Sequence, residues 1–171
     1  LCAYAVKTGT PVVFSTTGYT DEELELIKKT SESAAVFRSG NMSVGINLIT
    51  ELAKRAASVL SDFDAEIVEM HHNQKLDAPS GTALMIADGI KSVRPDSEYV
   101  YDRTKERKKR GKNEIGIHSV RAGSIVGEHE VIFGGANEVI KISHSALSRA
   151  VFASGALKAA AFLKGKKNGM Y

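Results

Sequence analysis

A single cysteine, Cys2, stands among the 171 residues. It excludes an internal disulfide and any multi-cysteine zinc site, and it points to a reducing compartment. No apolar run reaches the roughly 18 residues needed to span a bilayer, and no signal-peptide pattern opens the chain. Neither a membrane partner nor secretion is therefore expected, and a cytoplasmic location is. Charge of one sign is also scarce: 23 Lys and Arg against 20 Asp and Glu leave a net charge of +3, too little to argue for nucleic acid. The fifteen glycines form neither G-x-G-x-x-G nor a Walker loop, and there is no internal repeat. The first residue is Leu1 rather than Met, and LCAYAVKTGTPVVF reads like the middle of something, so a piece of a longer protein is expected.

What is present is an ordinary globular composition, 43% apolar and 25% charged, enough for one domain or one and a fraction. Val12–Phe14 reads as a short buried strand, and Thr20 with Glu23 forms a capping-box pair that predicts a helix over 21–30. A strand over 34–37 completes a βαβ unit, the building block of parallel sheets. From Ser43 to about Leu60, Val44, Leu48, Leu52, Ala56 and Val59 recur at helical spacing and predict one apolar face. A strand over 65–70 follows, then a helix over 81–93 with Leu84, Ala87 and Ile90 inward. Residues 96–113 read as a basic loop containing KERKKRGK. Three strand-like runs, 115–122, 125–133 and 137–144, are separated by Gly123-Ser124 and Gly134-Gly135 as hairpin turns would separate them. A small-surfaced, Ala-rich helix over 146–164 closes the chain. The expected fold class is α/β: a partial Rossmann-like βαβ remnant, then an α+β domain with a mixed sheet and helices on one face. The expected division is 1–42, the end of a dinucleotide-binding domain, and 43–171, a substrate-binding and oligomerisation domain.

The chemistry concentrates in EMHHNQKLDAPSGTA, Glu69 to Ala83. Two adjacent imidazoles, His71 and His72, stand at the end of a strand, with the amine of Lys75 close behind. Ser80-Gly81-Thr82 then opens a helix, where backbone N–H groups and the helix dipole favour an anion. The third position after the Ser80 cap is Ala83, not Glu or Gln, so the helix is expected to start without an anion of its own. The set suits a small substrate held by its carboxylates and protonated by a titratable side chain.

These residues closely resemble the signature of the dihydrodipicolinate reductase family, nicotinamide-dependent enzymes of lysine biosynthesis. PVVFSTTGYT is similar to the family's G-T-T-G-[FY] cofactor loop, with Ser15 where Gly is usual, and SGNMSVGINL to its second cofactor loop. SVRAGSIVGEHEVIF, ISHSALSRAVFASGALKAA and the closing GMY extend the similarity over nearly the whole chain. The family's opening G-x-x-G-x-x-G phosphate loop and its usual C-terminal tail have no counterpart among these residues.

The resemblance implies reduction of a cyclic, conjugated imine dicarboxylate with NADH or NADPH as cofactor. By it His71 is the general acid, and Lys75 donates to the ring nitrogen or a carboxylate. His72 contacts one carboxylate, and Ser80, Gly81 and Thr82 bind the other. Ser15, Thr16, Thr17 and Gly18, with Ser39, Gly40, Asn41 and Met42, match the cofactor-contacting loops, and no metal is implied. A homo-tetramer is suggested, built through the substrate-domain sheets. Two other readings compete. One is a zinc site using His71, His72 and a third of His118, His129 and His144, which is awkward because neighbours on a strand point to opposite faces. The other is a non-catalytic module that binds a dicarboxylate, or nucleic acid through Lys105–Lys112, the chain being inactive without a cofactor half.

Overall fold

The computed structural model describes residues 1–171. In chain order the elements are α1 (Cys2–Thr8), β1 (Val12–Phe14), α2 (Asp21–Thr30), β2 (Ala35–Arg38), α3 (Val44–Val59), β3 (Asp64–His71), α4 (Gly81–Lys91), β4 (Glu98–Val100), β5 (Glu114–Arg121), β6 (Glu128–Gly134), β7 (Val139–Ser145), α5 (Ala150–Leu163) and β8 (Gly169–Met170). No helix is long and apolar enough to cross a membrane. The chain forms two compact units, Leu1–Val44 with Ala150–Tyr171, and Gly45–Arg149. This differs from a contiguous division at residue 42. The last helix and strand return to the first unit, because β8 pairs with β2 and α5 lies against β1 and β2.

The first unit is a three-stranded parallel sheet in the order β1-β2-β8. Its βαβ core is held by Phe14, Ile27 and Val36. The α2 helix begins with a complete capping box: Glu23 N–H donates to the Thr20 hydroxyl, and Thr20 N–H donates to the Glu23 carboxylate. Small residues on α5 permit close approach. A Cβ added at Gly155 would sit 1.7 Å from the Met42 carbonyl oxygen.

The second unit is a five-stranded mixed sheet in the order β4-β5-β3-β6-β7. Strands β4, β5 and β3 run parallel, while β6 and β7 are antiparallel to their neighbours. Gly123-Ser124 is therefore not a hairpin turn, since β3 lies between β5 and β6. A turn signal locates a reversal of the chain but does not name the strand's partner. The three residues of β4 also turn part of the basic loop into an edge strand. The opening helix α1 was not expected either; Gly9 ends it in the left-handed conformation, φ 67°.

The core forms where α3 and α4 cover one face of this sheet. Ile46, Ile49, Ala53 and Ala57 of α3 and Ala83, Ile86, Ala87 and Ile90 of α4 meet Ile67, Ile115, Ile117, Val131 and Phe133. The apolar face predicted for α3 is the wrong one: Val44 and Leu48 are 56% and 57% exposed, and Leu52 and Val59 are exposed too. A strict i+4 series advances about 40° around the helix at each step, so it drifts off any fixed face. The buried series 46, 49, 53, 57 mixes steps of three and four and stays in place. On α4, Leu84 is only half-buried, and Ala83 and Ile86 take the inward positions.

On the sheet's other face Glu66 anchors the basic loop. Arg103 and Arg110 reach it at 2.8 and 2.9 Å, and His118 Nε2 at 2.8 Å. Arg110 also pairs with Asp64, and Arg103 with Glu114. Gly116 makes room for this, because a Cβ there would lie 1.7 Å from Glu66 Oε2.

Gly155→Ala should destabilise the first unit by about 1–3 kcal/mol, the usual cost of overpacking, seen as a lower urea midpoint. An unchanged midpoint would contradict the close packing of α5 on the loop after β2.

Candidate active site

Alternation along β3 sends Ala65, Ile67, Glu69 and His71 to the helix-covered face. The first two belong to the core. The third is a carboxylate with no exposed surface. Neighbouring strands continue the polar patch: Ser119 and Arg121 stand opposite Glu69 and His71 on β5, and His129 stands opposite Glu69 on β6.

Glu69 is the centre of a dense network. Arg121 donates to both its oxygens, Nη1 at 2.9 Å and Nη2 at 2.7 Å. His71 Nδ1 lies 2.6 Å from Oε2, and the Ser80 backbone N–H donates to Oε1 at 3.1 Å. Burial pushes the Glu69 carboxyl up, but hydrogen bonds from Arg121, Ser119 and His71 more than offset it and hold it at about 2. An ionised carboxylate only accepts, so Nδ1 of His71 carries the hydrogen and Nε2 is the exchangeable atom. The His71 imidazole is shifted down from 6.5, first by burial. Glu69 opposes that shift, while Lys75 and Arg121 add to it.

His129 packs edge-on against His71, ring centroids 5.3 Å apart, and its Nε2 lies 3.1 Å from the Ser80 hydroxyl. Burial, then the nearby His71, lowers it to about 4, so it is neutral near pH 7. The Ser80 hydroxyl also accepts from Ala83 N–H at 3.1 Å and caps α4. Ser80 is itself buried, with its hydroxyl committed to His129 and the cap. The expectation that α4 begins without a side-chain anion is corrected here, because Glu69 supplies one from eleven residues upstream. Gly81 is exposed, and a Cβ added there would meet nothing within 4 Å. Open space thus lies over the first turn, with Thr82 half-buried beside it.

The loop between β3 and α4 carries the remaining cations. Lys75 Nζ pairs with Asp77 at 2.8 Å, and Lys75 holds that carboxyl below its ordinary range. Arg121 Nη2 donates to the Asp77 carbonyl at 2.7 Å, fixing the loop to the sheet. His72 leaves the strand, and its Nε2 lies 3.4 Å from Arg149 Nη2. No three His, Cys, Asp or Glu side chains gather as a metal-binding set. His118 faces Glu66 on the opposite side of the sheet.

Sequence reasoning gave no role to Glu69, Arg121 or Arg149, and offered His129 only as a possible zinc ligand. The available signal was parity: a strand whose inward stripe is Ala65, Ile67 and then an acid must compensate that acid with partners.

In the first unit, Ser15, Thr16, Thr17 and Gly18 form the turn between β1 and α2, with Gly18 at φ 78°. Ser39, Gly40, Asn41 and Met42 lie between β2 and α3, where the Ser39 hydroxyl donates to the Asn41 carbonyl at 2.7 Å. A pocket of about 430 Å³ opens among Ser15, Gly40, Asn41, Met42, Phe152 and Ala153. Both loops leave the carboxyl ends of parallel strands, the usual ligand position in such sheets. The size fits the nicotinamide half of a dinucleotide, while a glycine-rich pyrophosphate loop is absent from these residues.

Comparison with known proteins decides the family. Residues 45–171 match the model for dihydrodipicolinate reductase, C-terminus, and residues 1–42 the model for its N-terminus. The chain belongs to the dihydrodipicolinate reductase family. It is 60% identical to the 4-hydroxy-tetrahydrodipicolinate reductase of Caldanaerobacter subterraneus subsp. tengcongensis, over 98% of this chain and 67% of that protein. The Clostridium tetani protein of the same name is 56% identical, over 100% of this chain and 68% of its own length. A solved structure, dipicolinate-bound dihydrodipicolinate reductase from Paenisporosarcina sp. TG-14, matches with a TM-score of 0.76 and 30% identity. That match covers 99% of this chain and 65% of the solved one, so the chain spans about two thirds of the length of these relatives. The family's enzymes are oxidoreductases of lysine and diaminopimelate biosynthesis and use a nicotinamide cofactor.

Stability should fall with acid in two stages. A folded pKa below the unfolded value contributes stability that disappears as pH drops through that interval. For His129 the interval runs from 6.5 down to about 4. For Glu69 it runs from 4.5 down to about 2. Urea midpoints measured from pH 7 to pH 3 should decline throughout, and Glu69→Gln should lose the component below 4.5. Midpoints flat between pH 7 and pH 4 would contradict the neutral, buried His129.

Proposed function

We propose that this chain carries the substrate-binding and proton-donating part of an NAD(P)H-dependent 4-hydroxy-tetrahydrodipicolinate reductase, acting on a cyclic dicarboxylate. A bound NADH or NADPH would supply the hydride, added to the conjugated imine ring that remains once the 4-hydroxyl has left as water. That addition builds negative charge on the ring system, and His71 supplies the compensating proton from Nε2. One observation carries this reading. His71 Nδ1 and the Ser80 amide share the Glu69 carboxylate, at 2.6 and 3.1 Å, which joins the proton donor to the start of α4.

The two substrate carboxylates need separate holders. The Gly81 amide, with Thr82 beside it, takes one at the helix start under the cap made by Ser80. Lys75 takes the other or the ring nitrogen, exchanging its contact with Asp77 for the ligand, and His72 supports it next to Arg149. Ser15 to Gly18 and Ser39 to Met42 border the pocket that suits the nicotinamide half. The likeness to a dipicolinate-bound reductase supports a planar pyridine dicarboxylate as a substrate mimic for this chain as well. Apolar residues on the sheet face opposite the helices, half-buried Val68 and exposed Val120, support assembly through that face into a homo-tetramer. The single cysteine supports a reducing, cytoplasmic setting.

Calorimetry with pyridine-2,6-dicarboxylate tests the reading directly on these 171 residues. Binding is expected, and Lys75→Met should weaken it about tenfold, the loss of one charge-assisted contact. No binding at millimolar ligand would overturn the site. In any preparation that turns over, His71→Gln should lower turnover by about 10²–10⁴-fold while dicarboxylate binding persists. Unchanged turnover with a raised KM would assign His71 to binding instead.

A further inference from the structure

We propose that Glu69 is a positioning residue: it fixes the tautomer of His71 and ties the acid, the Lys75 loop and the anion-binding start of α4 into one rigid unit. The inference rests on the reading of His71 as proton donor and of α4 as a carboxylate holder, and adds to it a residue that touches neither substrate nor cofactor.

Energetics argue against a purely structural role. An ion pair buried on the inward face of a core strand is commonly no more stabilising than well-packed apolar residues of similar volume. Ile67 and Ala65 show what that face accepts one and two inward positions earlier. A fully buried carboxylate there is compensated only because five groups converge on it. They are both terminal nitrogens of Arg121, Nδ1 of His71, the Ser80 amide and the Ser119 side chain. Three of these partners lead to different parts of the site. His71 is the acid. Ser80 begins the helix whose next amide is Gly81. Arg121 reaches past Glu69 to the Asp77 carbonyl and so holds the loop that carries Lys75. One side chain thus sets the spacing among all three.

The tautomer follows from the same contact. Because the carboxylate is a pure acceptor, it holds the hydrogen on Nδ1 and leaves Nε2 as the atom that gives and regains a proton. Nε2 is left uncrowded by Gly127, where an added Cβ would come within 3.1 Å of it. The charged and titratable groups around His71 are Glu69, Lys75, Arg121 and His129. Glu69 alone attracts the imidazolium, while Lys75 and Arg121 oppose it and His129 is neutral. Removing the carboxylate therefore removes both the orientation of the ring and the only favourable field on its charged form.

Long-range proton–nitrogen NMR of the histidines, in the wild type and in Glu69→Gln, tests the proposal. The wild type is expected to show neutral His71 with the hydrogen on Nδ1. In E69Q the hydrogen should move to Nε2, the His71 pKa should fall further, and pyridine-2,6-dicarboxylate affinity should drop about tenfold. Glu69→Asp, which keeps the charge, should retain the Nδ1 hydrogen. A folded E69Q that keeps the wild-type tautomer and affinity overturns the proposal. Should E69Q fail to fold, the wild-type spectrum decides by itself, since a hydrogen on Nε2 overturns the proposal and one on Nδ1 supports it. Failure of the wild type to bind the dicarboxylate while the tautomer still switches in E69Q would instead place the fault in the substrate reading.

Discussion

The carboxylate of Glu69, fully buried yet ionised, is the constraint on which the second unit's chemistry depends. Taking such a charge out of water is costly, and a bidentate arginine is the side chain best shaped to offset it. Arg121 does this with both terminal nitrogens and still has a donor left for the Asp77 carbonyl. The other donors to it are His71, the Ser80 amide and the Ser119 side chain. The carboxylate itself is fully satisfied, so moving any of its partners leaves charge unpaired in a medium of low dielectric, although Arg121 Nε and His129 Nδ1 are buried with no hydrogen-bond partner. Rigidity at this point is what acid–base chemistry on a small anion requires, since proton transfer depends on short distances and on a defined tautomer.

Strand β3 carries a second carboxylate with the opposite task. Glu66 and Glu69 are three residues apart, so alternation sends them to opposite faces of the sheet. Glu66 faces outward and collects Arg103, Arg110 and His118. Two of these cations come from the basic run 101–112, which is thereby stitched to the sheet. Lys105 and Lys108 are paired too, with Asp102 and Glu106. Four of the seven cations in this run, Arg103, Lys105, Lys108 and Arg110, are thus paired with carboxylates, some of them close by in the chain and others on the sheet.

What could be read in advance was whatever the chain encodes locally. The Thr20–Glu23 capping box and the strand that ends at the His pair depend on residues within a turn or two, and both are found where expected. The grouping of His71, Lys75 and Ser80 was legible for the same reason. The failures are non-local or concern phase. Two interleaved apolar series run along α3, and only packing selects 46, 49, 53 and 57 over 44, 48, 52 and 59. The insertion of β3 between β5 and β6 joins residues from about fifty to about seventy positions apart. Glu69 meets Arg121 across 52 positions and Ser80 meets His129 across 49, so neither pairing leaves a mark in the spacing of the motif. The return of α5 and β8 to the first unit is equally invisible to a reading that divides the chain at one point.

A crystal structure of the chain with pyridine-2,6-dicarboxylate is the most direct test of this account. One ligand carboxylate is predicted to lie over the Gly81 amide, with Nε2 of His71 turned toward the ring. Nδ1 and the Ser80 amide should both remain on Glu69. A ligand seated away from the start of α4, or Glu69 released from His71 when the ligand binds, would contradict it.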